Sequence, residues 1–175
     1  RFLQESNPNP AITWDIQQYK VGDPILFLDS DRFRPIIHNN MKGIIQGVEI
    51  IDEGTTEERI QFDIEIPKLI FERDVLNLDL KLLKNSEKEE KSLIRFYVHK
   101  LKSADEDGED PRTVVPFQIA YAVSIHKAQG LEYDSVKIVI TDEVEELVTH
   151  NIFYTAITRA REKLKIYWTP EVEEK

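Results

Sequence analysis

Between Ala120 and Trp168 the chain reads AYAVSIHKAQGLEYDSVKIVITDEVEELVTHNIFYTAITRAREKLKIYW, and few folds accommodate that run. Apolar strand-like stretches alternate in it with helix-like ones, which points to an α/β layer. Two polar clusters, SIHKAQGLEYD and YTAITRAR, sit at the junctions. In an open α/β sheet, strand ends and the helix starts that follow them are where phosphates and nucleotides bind. The two clusters are therefore the candidate functional centre.

Gln118 to Ser124 carries the aromatic and β-branched residues of a buried strand. After it, Ser124, His126, Lys127 and Gln129 bring hydrogen-bond donors close together, and Gly130 permits a backbone geometry that a side chain would obstruct. That set suits a phosphate or a nucleic-acid backbone. The run Val136 to Ile140 is the next strand, so the first cluster lies at a strand-to-strand crossover. In the second cluster Phe153, Ala156, Ile157, Ala160 and Leu164 recur at spacings of three and four, an apolar helical stripe. Thr155, Arg159 and Arg161 fall off or beside it, and a guanidinium on a rigid helix is well placed to meet phosphate charge. Lys163 to Trp168 closes the unit as a strand.

On these residues SIHKAQGLEYD resembles motif V, and YTAITRAR motif VI, of superfamily 1 DNA helicases. HKAQG resembles the RecD-like branch, and GLE is shared with the UvrD-like branch. The run VGDPILFLDSD followed by HNNMKGIIQGVEI resembles the start of the small barrel that RecD-like helicases insert into their second motor domain. The resemblance implies an α/β fold, a partial RecA-like (P-loop NTPase) motor domain with an inserted SH3-like β-barrel. Its parts would be a linker and domain edge at 1–20, the barrel at 21–101, an acidic loop at 102–111, the end of the RecA-like domain at 112–169 and an acidic tail at 170–175.

The residues upstream agree with a strand-rich insertion. Arg1 to Ala11 reads as a linker, and Trp14 to Tyr19 as a short helix or an edge strand. Ile25 to Leu28, Gly43 to Ile51, the alternating Ile60, Phe62, Ile64 and Ile66, and Leu93 to Leu101 read as strands. Gly47 is a candidate bulge, and Asp74 to Lys84 is ambiguous. Glu143 to Ala160 reads as one helix broken near His150-Asn151, or as two. A chain with 41% hydrophobic residues has enough apolar material for a core. The sequence has no membrane-length apolar run and no cysteine, which excludes disulfides and thiolate metal sites and makes a cytoplasmic location the default. The four histidines share no metal-ligand spacing, so no metal is assigned. The formal charge of −10 works against phosphate binding. Much of the acid, however, lies in SADEDGED, SEKEEK and the tail, while Arg159 to Lys165 is locally basic.

The sequence contains no G-x-x-x-x-G-K-[ST] loop, and Asp142-Glu143 is no convincing magnesium pair. Since the chain opens at Arg1 and its one methionine is Met41, it is expected to be a piece of a longer protein. ATP and Mg2+ would then serve the full-length protein, with neither bound nor ATP hydrolysed by this piece alone. The resemblance implies that Arg159 reaches the γ-phosphate across the cleft between motor domains. It implies that Gly130 and Glu132 lie by the nucleotide, with the carboxylate on the ribose. Ser124, His126, Lys127 and Gln129 would face single-stranded DNA. The implied partners are that strand, with RNA as the other candidate, and the missing N-terminal RecA-like domain of the same chain, with no membrane. Structural roles compete at each position: a surface pair with Glu162 for Arg159, a helix cap for His126, solvated side chains for Glu132 and Lys127. The rival functional readings are a non-catalytic nucleic-acid or protein binding module derived from a helicase, and a related motor acting on RNA or fused to a nuclease.

Overall fold

The alternation at 60–66 is the backbone of the larger structural unit. In the computed structural model, which describes residues 2–28, 31–100, 110–140 and 149–168, Ile60, Phe62, Ile64 and Ile66 are all fully buried. The chain divides into two units, residues 1–122 and 123–175.

The first unit begins with a helical turn, α1 (Phe2–Glu5), and a hairpin of β1 (Ala11–Trp14) and β2 (Gln17–Lys20). The hairpin turns at Asp15, whose φ of 52° is left-handed. Next come β3 (Pro24–Phe27), β4 (Lys42–Ile51), β5 (Arg59–Ile66), the short α2 (Glu72–Val75), β6 (Lys81–Ser86), β7 (Lys91–His99) and β8 (Phe117–Ile119). The last six strands form one antiparallel sheet in the order β6-β7-β5-β4-β3-β8. The β4–β5 register shifts between Ile45 and Gly47, the bulge expected at that glycine.

Phe27, Phe33, Phe62, Phe96 and Phe117 meet over one face of the sheet, and Phe62 stands edge-on to Phe117 with centroids 5.0 Å apart. A fully buried phenylalanine contributes about 1.5–3 kcal/mol from area alone. At the margin of this core Asp23, itself fully buried, accepts four hydrogen bonds. They come from Gln4 Nε2 (2.5 Å), Asn7 Nδ2 (2.8 Å), the Lys20 amide (3.0 Å) and the Tyr121 hydroxyl (2.9 Å). One carboxylate thus ties the N-terminal segment and β2 to the residues following β8. Asp23→Asn turns an acceptor into a donor facing these donors and is expected to cost about 1–3 kcal/mol, read as a lower urea midpoint at unchanged slope.

Several expectations change here. The strands assigned to a barrel form an open sheet: among the described residues β6 and β8 stand at opposite edges and do not pair. Strand count carries no information about closure, which depends on strand tilt and stagger across the whole sheet. The buried strand expected at Gln118 to Ser124 is the shorter β8, and it joins β3 in this sheet rather than the α/β layer. Trp14 to Tyr19 is a hairpin turn with its flanks, and Asp74 to Lys84 splits between the end of α2 and the start of β6. The linker expected at the N-terminus includes α1 and two of the donors to Asp23, Gln4 and Asn7. Most of the acidic loop, the tail and Asp142-Glu143 lie outside the described residues.

The second unit holds β9 (Tyr133–Ile140), α3 (His150–Ile157) and β10 (Ala160–Trp168). The strands run parallel, with Leu164 opposite Val136 and Ile166 opposite Ile138, and α3 belongs to the crossover that parallel pairing requires. Ile138, Ile140 and Ala156 form a small core, packed by Ile125, Phe153, Ile157 and Ile166. Among the described residues no helix is long and apolar enough to cross a membrane.

Candidate functional site

Ser124 to Gly130 makes a single helical turn. The Ser124 carbonyl accepts from the Ala128 amide (3.0 Å) and its hydroxyl from the Lys127 amide (3.5 Å), so the capping role that competed with strand contact at His126 falls to Ser124. Gly130, at φ +80°, ends the turn in the left-handed region where a side chain is strained. The polarity of this short stretch therefore faces two directions.

On one side His126 and Gln129 meet the first residues of α3 across a hollow of about 140 Å³, lined also by Ile125, Asn151, Ile152 and Thr155. Asn151 and Thr155 are four apart on the helix and so share a face. Thr155 is one of the polar residues that the sequence sets beside the apolar stripe, whereas Asn151 was missed; its place four residues before Thr155 is the signal that could have found it. Thr155 spends its hydroxyl on the Asn151 carbonyl at 2.8 Å. Ser124 is exposed and Lys127 half-buried, and neither lines this hollow.

On the other side Gly130, Leu131 and Glu132 meet the residues after α3. The helix ends at Ile157, where Thr158 caps it through its amide to the Tyr154 carbonyl (3.1 Å). Arg159 consequently lies in the turn and not on the helix, and Ala160 and Leu164 belong to β10 and not to an apolar helical stripe. The reason is pairing: Ala160 lies opposite Tyr133, and the Tyr133 amide donates to the Arg159 carbonyl at 2.9 Å. The half-buried Arg159 guanidinium donates from Nε to the Thr155 carbonyl (3.0 Å), from Nη1 to the Leu131 carbonyl (3.2 Å) and from Nη2 to Thr158 Oγ1 (3.1 Å). All three acceptors are neutral oxygens. Among the described residues Arg159 forms no ion pair, with Glu162 or any other carboxylate. Its orientation is held while its charge remains available to an anion.

Glu132 is bonded to Arg161, whose Nη2 and Nε lie 2.8 and 2.9 Å from the same carboxylate oxygen. Arg161 is the site residue that sequence reasoning left unassigned. The neighbouring Tyr133 phenol is pushed up by burial alone. Among the described residues no group of three or more His, Asp or Glu side chains could hold a metal ion.

Residues 119–167 match the family model of the UvrD-like helicase C-terminal domain. The C-terminal third of the chain is thus similar to the C-terminal segment of superfamily 1 helicases of the RecD-like kind. It is 30% identical over 56 residues to the RecBCD enzyme subunit RecD of Buchnera aphidicola, covering 32% of this chain and 9% of that protein. It is 39% identical over 46 residues to the ATP-dependent RecD2 DNA helicase of Deinococcus radiodurans, covering 26% of this chain and 6% of that one. A longer match, 33% over 85 residues, is to the uncharacterized protein MJ1519 of Methanocaldococcus jannaschii, covering 49% of this chain and 7% of that protein. The chain therefore spans less than a tenth of each of these relatives.

Proposed function

We propose that this chain is the C-terminal part of an ATP-dependent DNA helicase, in which residues 123–168 complete the second of two RecA-like motor domains. ATP and Mg2+ are bound chiefly by the other motor domain, and this one supplies Arg159 to the γ-phosphate and Gly130 and Glu132 to the nucleotide. The open sheet of residues 1–122 is the counterpart of the small barrel inserted in related motors. The observation that carries this reading is the state of Arg159: an oriented, half-buried guanidinium bonded, among the described residues, only to neutral oxygens, one of them on the residue between Gly130 and Glu132. A charge held in that way stabilises negative charge that develops during phosphoryl transfer without first having to break an ion pair.

The strand contact falls to the opposite side of the same turn. His126 and Gln129, with Ser124 and Lys127 beside them, face single-stranded DNA, and the hollow they share with α3 admits a polar group from the strand. Strand-facing Gln129 and nucleotide-facing Gly130 are then consecutive, which gives motif V a part in both events.

The test is single-strand-stimulated ATP hydrolysis by the full-length protein, together with strand binding by the His126→Ala/Gln129→Ala double variant. Losing two side-chain hydrogen bonds is expected to weaken strand binding about tenfold while ATP affinity stays unchanged. A protein that binds DNA but never hydrolyses ATP would instead be a binding module that has kept the shape of a motor.

A further inference from the structure

The start of the β9–β10 ladder is irregular at one place. Ala160 lies opposite Tyr133 and Lys163 opposite Ser135, so three steps along β10 match two along β9. One extra residue is accommodated between Ala160 and Lys163, where Arg161 and Glu162 oppose Asp134. A bulge of this kind re-aims a side chain that regular alternation would point elsewhere. Here the re-aimed side chain is Arg161, and it reaches back 29 residues to Glu132.

The contact is specific in form. Two N–H groups of one guanidinium, Nε at 2.9 Å and Nη2 at 2.8 Å, converge on Glu132 Oε2. Both partners are more than half exposed, at 62% and 55%, so the pair does little for the stability of the unit. Its effect is on geometry, because an exposed glutamate otherwise samples several rotamers. The backbone on either side of Glu132 is tied as well, the Leu131 carbonyl to Arg159 Nη1 and the Tyr133 amide to the Arg159 carbonyl. Backbone and carboxylate are thus held by Arg159 and Arg161 together, two residues apart on the other motif.

We propose that Arg161 is a positioning residue for the nucleotide: through the bulge in β10 it holds the Glu132 carboxylate in the orientation that receives the nucleotide sugar. This rests on the reading above that Glu132 faces the nucleotide. Arg161 acts through that carboxylate and does not itself touch substrate. Lysine in its place keeps the charge but presents a single ammonium on a flexible stem, so it restores the position of the carboxylate only in part.

The experiment is steady-state ATP hydrolysis by the full-length protein with saturating single-stranded DNA. It compares wild type, Arg161→Ala, Arg161→Lys, Glu132→Ala and the Arg161→Ala/Glu132→Ala double variant, with thermal melts to show that each is folded. Arg161→Ala is expected to raise KM for ATP about two- to fivefold, the range an exposed ion pair commands, with kcat within twofold of wild type. Arg161→Lys recovers part of that loss. The double variant is no worse than Glu132→Ala, because Arg161 acts only through that carboxylate. A wild-type KM in Arg161→Ala, or losses that multiply in the double variant, overturns the inference. If Glu132→Ala raises KM while Arg161→Ala does not, the positioning role alone falls. If Glu132→Ala also leaves KM unchanged, the nucleotide-facing reading of Glu132 falls with it.

Discussion

Arg159→Ala in the full-length protein is expected to lower single-strand-stimulated ATP turnover by about a thousandfold or more, the range known for arginine fingers, with ATP affinity changed only a few-fold. The size of the effect follows from where the charge acts. Charge spreads over the transferred phosphoryl group in the transition state, and a guanidinium already aimed at it lowers the barrier without reorganising. In the structure Arg159 is aimed by the Thr155 and Leu131 carbonyls and by the Thr158 hydroxyl, and among the described residues no carboxylate compensates it. Alanine also removes those three bonds, so the comparison needs Arg159→Lys, which keeps a positive charge but loses the planar fork. Lysine is expected to restore only a small part of the turnover. A fall in kcat with ATP still bound, read by fluorescent-nucleotide titration beside the kinetics, supports action across the cleft. Unchanged turnover would end the finger assignment and leave the binding-module reading as the better one.

The largest expected effect on stability lies in the other unit. Phe96 is fully buried and packs against Phe33, Phe62, Phe117 and Phe27, with ring centroids 5.0, 5.8, 6.2 and 6.5 Å away. Phe96→Ala removes the ring at the junction of these contacts and leaves a void whose walls belong to β3, β5 and β8 and cannot all move inward together. The expected loss is about 3–5 kcal/mol, measured by urea unfolding of the purified chain. Against it, Ile16→Ala, at the hairpin turn and 94% exposed, is expected to change stability by less than about 0.5 kcal/mol. A Phe96→Ala loss no greater than that of Ile16→Ala would mean that the aromatic cluster is not the core of the sheet.

The elements legible in the sequence were those whose signal is local. Alternation over Ile60, Phe62, Ile64 and Ile66 and the continuous run Val136 to Ile140 gave strands at the right places, and Gly47 marked a real bulge. The second polar cluster was misread at its end. Phe153, Ala156 and Ile157 are on a helix, but Ala160 and Leu164 continue the same spacing by coincidence while lying on a strand. Helical periodicity over so few residues cannot distinguish a helix from a helix that stops and a strand that begins. What stopped it was Tyr133, a residue 26 positions before Arg159, whose amide captures the Arg159 carbonyl.

Residue types and short-range order therefore set which segments bury a face and which polar groups gather in the two clusters, because those depend on neighbours a few positions apart. The sequence by itself determined the half-buried strands, the glycine that ends the turn at 130, and the candidate residues Ser124, His126, Gln129, Glu132 and Arg159. Tertiary structure alone decided that the first unit's strands lie in an open sheet with β8 at its edge. It alone placed Arg159 in a turn against Leu131 and set Arg161 on Glu132. These outcomes rest on pairing between segments far apart in the chain, where free strand edges and the filling of a shared core select the partner, and no local pattern records that choice.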